Sequence, residues 1–142
     1  MLLLDSDHLS VLWYSDGAEF ERLYSRLATH TAADVFVSIV TIDEQLRGWL
    51  AFVKKASRID GVVKGYAMFQ QVLERFVETQ VVGFDDAAAD VFTDLRSQKI
   101  RIGTMDLRIA SIAIANDLTL LTRNTVDFVR VPSLRFEDWT AA

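Results

Sequence analysis

Short unbroken apolar runs alternate along this chain with longer stretches in which apolar residues recur every third or fourth position. The runs Leu2 to Leu4, Val35 to Val40, Val81 to Phe84 and Leu118 to Thr122 have the length and composition of buried strands. A further short run in "LRFEDW", near the carboxyl end, reads as an edge strand. Between them, Phe20, Leu23, Tyr24 and Leu27 repeat at helical spacing, as do Ile42, Leu46, Trp49, Leu50 and Val53. Ile59, Val62, Val63, Tyr66, Leu73, Phe76 and Val77 form the longest stripe, which predicts a helix of about five turns. Asp85 to Gln98 and Thr104 to Asn116 predict two more.

Buried runs separated by helices predict one α/β domain over residues 1–142, with a central, mostly parallel sheet of four to five short strands flanked by helices. Sites in such open sheets form just beyond the carboxyl ends of the strands, so the residues following each run matter most.

Those residues are acidic. Asp5 and Asp7 follow the first run in "LLLDSDHLS", Asp43 and Glu44 follow "VFVSIV", and Asp85 and Asp86 follow "VVGF". Asp106 opens the helix before the last long run, and Asp127 follows that run in "LLTRNTVDF". Carboxylates gathered at one sheet edge raise each other's pKa values and destabilise the fold unless a cation neutralises them. Each also has a purely structural reading. Thr41 and Glu44 fit a capping box, Asp106 suits the positive end of a helix dipole, and Asp85 is an ordinary N-cap. The helical stripe also turns Glu44 away from Ile42 and Leu46.

Composition narrows the chemistry. The chain has no cysteine, which excludes disulfides, zinc-thiolate centres, iron–sulfur clusters and thiol nucleophiles. Its two histidines, His8 and His30, lack partners at ligand spacing and read as surface or packing residues, bystanders to any site. An oxygen-only ligand set points to magnesium or manganese. The formal charge of −5 repels nucleic acid on average, so such a substrate needs a local basic patch or bound cations. Arg47, Arg101, Arg108 and Arg123 are candidate phosphate contacts or simply solvated surface residues. With no signal-like leader, and with "IASIAIANDLTLL" interrupted by Asn116 and Asp117, the expectation is a soluble cytoplasmic protein without a membrane partner.

The ordered motifs "LLLDSDHLS", "VSIVTIDEQLRG", "IGTMDLRIASIAIANDLTLLTRNTVDF" and "VPSLRFEDW" resemble PIN-domain proteins of the VapC toxin type from Met1 to Trp139. That resemblance implies a magnesium-dependent endoribonuclease, with manganese as a substitute, acting as the toxin of a type II toxin–antitoxin pair. It also implies a VapB-like antitoxin, a homodimer and toxin–antitoxin hetero-oligomers. By the family pattern, Asp5, Glu44, Asp106 and Asp127 are the catalytic and metal-binding residues. Ser6, Asp7, Thr104, Thr122, Arg123 and Asn124 supply surrounding or substrate-binding groups. Ser6 and Asp7 stand where the pattern usually has threonine and asparagine, so Asp7 adds a carboxylate and leaves the number of ions open. Together with the acidic charge, the resemblance points to a structured RNA held at few points, such as a tRNA loop.

Two other functions fit parts of the sequence. "LLLDSD" matches the start of haloacid-dehalogenase-like phosphatases, with Asp5 as nucleophile, but leaves Glu44 and Asp106 without a role. The alternative is a non-catalytic PIN-like interaction module, with Trp13, Tyr14, Trp49 and Phe52 serving an antitoxin or dimer interface.

Overall fold

A computed structural model describes residues 1–142. The elements run β1 (Leu2–Leu4), α1 (Ser6–Tyr14), α2 (Ala18–Leu27), β2 (Val35–Ser38), α3 (Ile39–Lys55), α4 (Ile59–Val77), β3 (Gln80–Val82), α5 (Asp86–Ser97), α6 (Thr104–Ala115), β4 (Thr119–Leu121), α7 (Thr125–Phe128) and β5 (Phe136–Glu137). The strands form one sheet in the order β3-β2-β1-β4-β5, every neighbouring pair parallel. This is the α/β architecture the apolar runs predict.

The three leucines of β1 explain its place at the centre. Leu3 faces one layer, where it meets Ile109, Ile112, Leu120 and Phe128. Leu2 and Leu4 face the other, with Leu9, Leu23, Val37, Val72 and Leu121. Only a strand covered on both faces can be apolar at every position. Leu2 to Leu4 pair with Val35 to Val37 on one side and Thr119 to Leu121 on the other. The connection after β1 runs to β2 on one side and that after β4 runs to β5 on the other, which opens a crevice at the carboxyl ends of β1 and β4.

Several boundaries differ from the sequence expectation. β2 stops at Ser38, and Ile39 and Val40 already belong to α3, because the Ser38 side chain accepts a hydrogen bond from the Thr41 backbone N–H at 3.0 Å. The N-cap is therefore Ser38 and not Thr41, and the capping box expected between Thr41 and Glu44 does not exist. Glu44 is moved past the first turn and left without a capping duty. β3 and β4 are shifted or trimmed by one or two residues at their ends. Asp85 does cap α5, accepting from Ala88 N–H, and α4 has the extent its stripe predicts. α1 and α7 carry too little apolar repeat to be foreseen as helices.

α3 and α4 form a close antiparallel pair. A Cβ on the buried Gly65 would run into the Val53 side chain, so this crossing admits no larger residue without moving the helices. No helix is long and apolar enough to cross a membrane.

Ile112 lies fully buried between the sheet and α5. Ile112→Ala is expected to lower unfolding stability by about 2–5 kcal/mol, read from urea denaturation.

Candidate active site

Asp5 follows β1 directly and is the N-cap of α1, its Oδ1 accepting the Ser6 backbone N–H at 2.8 Å. Its own N–H donates to the Leu121 carbonyl at 2.9 Å, and its carbonyl accepts from Leu9 N–H at 3.0 Å. Strand thus passes into helix without a loop, and the carboxylate is held in the crevice with 6% of its surface exposed. The fully buried Thr122, just past β4, donates its hydroxyl proton to Asp5 Oδ2 at 2.8 Å.

The other carboxylates approach this crevice from three elements. Asp106 lies in the first turn of α6, and Asp127 lies in α7. The Asn124 side-chain amide joins them, donating to Asp127 Oδ2 at 3.0 Å and to Asp106 Oδ2 at 3.4 Å. Glu44 reaches in from α3, with Oε1 buried and without a hydrogen-bond partner. The Ser6 hydroxyl is buried and unpartnered as well.

Burial and mutual repulsion set the electrostatics. Burial raises the Asp5 pKa from the usual 3.8 to about 6, with the charge on Asp7 adding to the effect. Burial, then the charges of Asp5 and Asp106, push Glu44 up to about 7. Asp106 is raised by burial and by Asp127 and Asp7. Three carboxyls raised above their ordinary values within one crevice mark a candidate functional cluster.

Asp7 is held differently. One oxygen accepts from the Arg123 backbone N–H at 3.0 Å and lies 3.4 Å from the Thr122 hydroxyl. The other lies 2.7 Å from His8 Nδ1. His8 is fully buried, and its Nε2 accepts the Trp139 backbone N–H at 3.1 Å. That acceptor role fixes the tautomer: the proton sits on Nδ1 and is donated to Asp7. The expectation of His8 as a bystander is corrected, since it ties Asp7 to the carboxyl-terminal segment. Its position three and four residues before Val11 and Leu12 on α1 was the signal that it faces inward. His30 is exposed and stands apart from the site, beside Trp139.

The remaining candidates divide. Ser6, Thr122 and Asn124 line the crevice, whereas Thr104 opens α6 on the exposed surface. The Arg123 side chain points to Glu19, 3.2 Å away, and only its backbone serves the site. Asp43 is paired with Arg47 at 2.6 Å on the surface, Arg108 contacts Met105, and Asp85 and Asp86 belong to the exposed start of α5. In the present rotamers, no three acidic or histidine side chains meet at one point that would hold an ion. The donors nevertheless suit a hard cation. All are oxygens, Glu44 Oε1 has no partner, and magnesium commonly takes one or two carboxylates and completes its shell with water.

No protein-family model matches the chain. It is 47% identical over 47 residues to ribonuclease VapC2 of Rickettsia felis, covering 33% of this chain and 35% of that protein. Over 74 residues it is 38% identical to the tRNA(fMet)-specific endonuclease VapC of Shigella flexneri, covering 49% of this chain and 56% of the relative. The chain thus spans about a third to a half of the length of these curated relatives. In fold the likeness is nearly complete: a chain of the Rickettsia felis VapBC2 structure, bound to a DNA fragment from their promoter, superposes with a TM-score of 0.71 at 22% identity, covering 97% of this chain and 98% of that one. The parallel sheet is thus the fold of that VapBC2 chain, and over a third to a half of its length the sequence is similar to VapC ribonucleases.

Proposed function

We propose that this protein is a divalent-metal-dependent endoribonuclease, the toxin half of a VapBC-type module restrained by a VapB-like antitoxin, with Mg²⁺ as the cation and Mn²⁺ as a substitute. The observation that carries this reading is the gathering of Asp5, Glu44, Asp106 and Asp127 from four separate segments at the crevice between β1 and β4. Nothing in packing requires that arrangement, and burial makes it costly. The ribonuclease and endonuclease names of the sequence relatives agree with it, and the tRNA-specific relative is in keeping with a tRNA as target.

Asp5, Glu44, Asp106 and Asp127 would hold the cation, which when bound polarises a phosphate and lowers the pKa of water. Thr122 fixes the Asp5 carboxylate by donating to one oxygen, leaving the second to Ser6 N–H and the crevice. Asn124 spaces Asp106 from Asp127 and keeps both turned inward. Glu44, whose buried Oε1 has no hydrogen-bond partner, is placed to orient the attacking water or take its proton. Asp7 is engaged by Arg123 N–H and His8, and so is not free to act as the general acid that a phosphatase with an Asp5 nucleophile needs. A non-catalytic module would have no use for the crowding.

Because folded Asp5 and Glu44 hold protons that the unfolded chain has already lost, the metal-free protein loses stability as pH rises from about 4 to about 7. For Asp5 this amounts to at most about 3 kcal/mol. Denaturation in EDTA at pH 4.5 and 7.5 should show this fall in the parent and a smaller one in Asp5→Asn.

Mg²⁺ or Mn²⁺ should bind in calorimetry and raise the melting temperature at pH 7.5. Asp5→Asn and Asp106→Asn should each lower RNA cleavage by at least about a hundredfold and weaken metal binding, with far-UV circular dichroism unchanged. Full activity in either variant would show that the site is misassigned.

A further inference from the structure

The acid crevice continues into a trough that the mechanism above does not use. Its walls are one stripe of α1, formed by Ser6, Ser10 and Tyr14, and one stripe of α3 that begins at Glu44 and includes Gly48, Trp49 and Phe52. The cleft between them has a volume of about 430 Å³. Spacings of four residues put each set on a single helix face. Small residues, Ser6, Ser10 and Gly48, keep the cleft open, and a Cβ at Gly48 would meet only empty space. Tyr14 and Phe52 are exposed, and Trp49 stands edge-on to Phe52 with ring centroids 5.5 Å apart.

Phe52 also borders a second hollow at the turn between α3 and α4, whose rim carries Lys55, Arg58 and Lys64. Lys64 Nζ lies 5.8 Å from the Phe52 ring centroid. Of the chain's four lysines, Lys55 and Lys64 lie on this rim and Lys54 precedes Lys55 in the last turn of α3, although the chain as a whole carries a charge of −5. The one ion pair in this group is the exposed contact of Arg58 with Asp60 at 3.6 Å. From Glu44 to Lys55 is eleven residues of helix, a rise of about 16 Å. Along that distance the lining changes from carboxylate to aromatic to cationic.

We propose that this trough is the substrate track: an unpaired RNA segment lies along α3, with one unstacked base against Tyr14, Trp49 and Phe52 and the adjoining phosphates on Lys55, Arg58 and Lys64. The proposal rests on the nuclease reading and specifies its substrate as single-stranded at the point of contact. Stacking on aromatic faces is insensitive to the acidic net charge, whereas phosphates need cations, and the cations sit where the backbone would leave the cleft. A base paired within a helix could not reach the rings. An apolar protein segment has a more uniformly apolar face on α4, where Ile59, Val63 and Val77 are exposed, than in a trough whose aromatics are flanked by serines and a carboxylate at one end and cations at the other.

The test is binding of a short fluorescent single-stranded RNA to the full chain carrying Asp5→Asn, which suppresses cleavage, measured across salt concentrations. Adding Lys55→Gln, Arg58→Gln and Lys64→Gln should weaken binding at least tenfold and make the slope of log affinity against log salt shallower by about 2, at about 0.7 for each phosphate no longer neutralised. Phe52→Leu should weaken binding about tenfold and leave the slope unchanged. If the parent cleaves RNA while these variants bind it with unaltered affinity and slope, the track is wrong and the nuclease reading stands. If the parent neither binds nor cleaves RNA, both fail. If the substitutions instead change self-association or antitoxin binding and spare RNA binding, the trough is a protein interface and the proposal is overturned.

Discussion

Everything at this site depends on a carboxylate fixed at the buried end of the central strand. β1 is apolar at every position because it is covered on both faces, and the chain then turns into α1 with no intervening loop. Backbone bonds from Asp5 to Leu121 and from Leu9 to Asp5 leave that residue no freedom to swing toward solvent. Its charge must be accommodated where it stands. One hydroxyl and one backbone N–H reach it, which is less than an ionised carboxylate needs, and Asp7 and Asp106 oppose it further. Only a proton or a cation relieves that conflict. The pKa values raised in Asp5, Glu44 and Asp106 are three expressions of it.

A second set of bonds holds the cluster's border. Trp139 N–H fixes the His8 tautomer, His8 donates to Asp7, and Asp7 accepts the Arg123 N–H beside Thr122. The link spans the chain from its eighth residue to its one hundred and thirty-ninth without a charged pair at the centre of the site. Asp7 therefore contributes negative charge to the crevice while its oxygens are occupied elsewhere. That is a different role from a ligand, and it accounts for a carboxylate being tolerated where the related pattern has an amide.

The legible part of this protein was what obeys a period. Apolar runs exposed the strands and the parallel sheet, and the stripe from Ile59 to Val77 gave α4 its extent. Asp5 stood out by following a fully apolar strand, but as the N-cap of α1 it also has an ordinary structural use, and the motif resemblance is what marked it as a site residue. Glu44 was not legible from spacing, since Thr41 offered it a capping partner. Ser38, inside what reads as a strand, took the cap instead. Competition between two nearby hydroxyl residues for one helix start is decided by where the strand must end to stay in register, and that is a tertiary fact. The roles of His8 and Trp139 were missed because the bond between them joins segments distant in sequence. The motif resemblance supplied the carboxylates, but not what holds them.

On the proposed reading, an acidic protein that handles RNA must separate the charge that attracts the polymer from the charge that organises the cation. Here α3 performs that separation by its length. Its amino-terminal third presents Glu44 to the crevice, and its carboxyl end carries Lys54 and Lys55, where cations also suit the helix dipole. If the lysines stood within a turn of Glu44, they would pair with the cluster, lower its pKa values and compete with the cation for its oxygens. About 16 Å of helix exceeds the screening length at physiological salt, so the two ends act independently. The aromatic stretch between them adds affinity without adding charge to either side. The tight α3 to α4 crossing at Gly65 brings the Lys64 backbone to the same rim as Lys55.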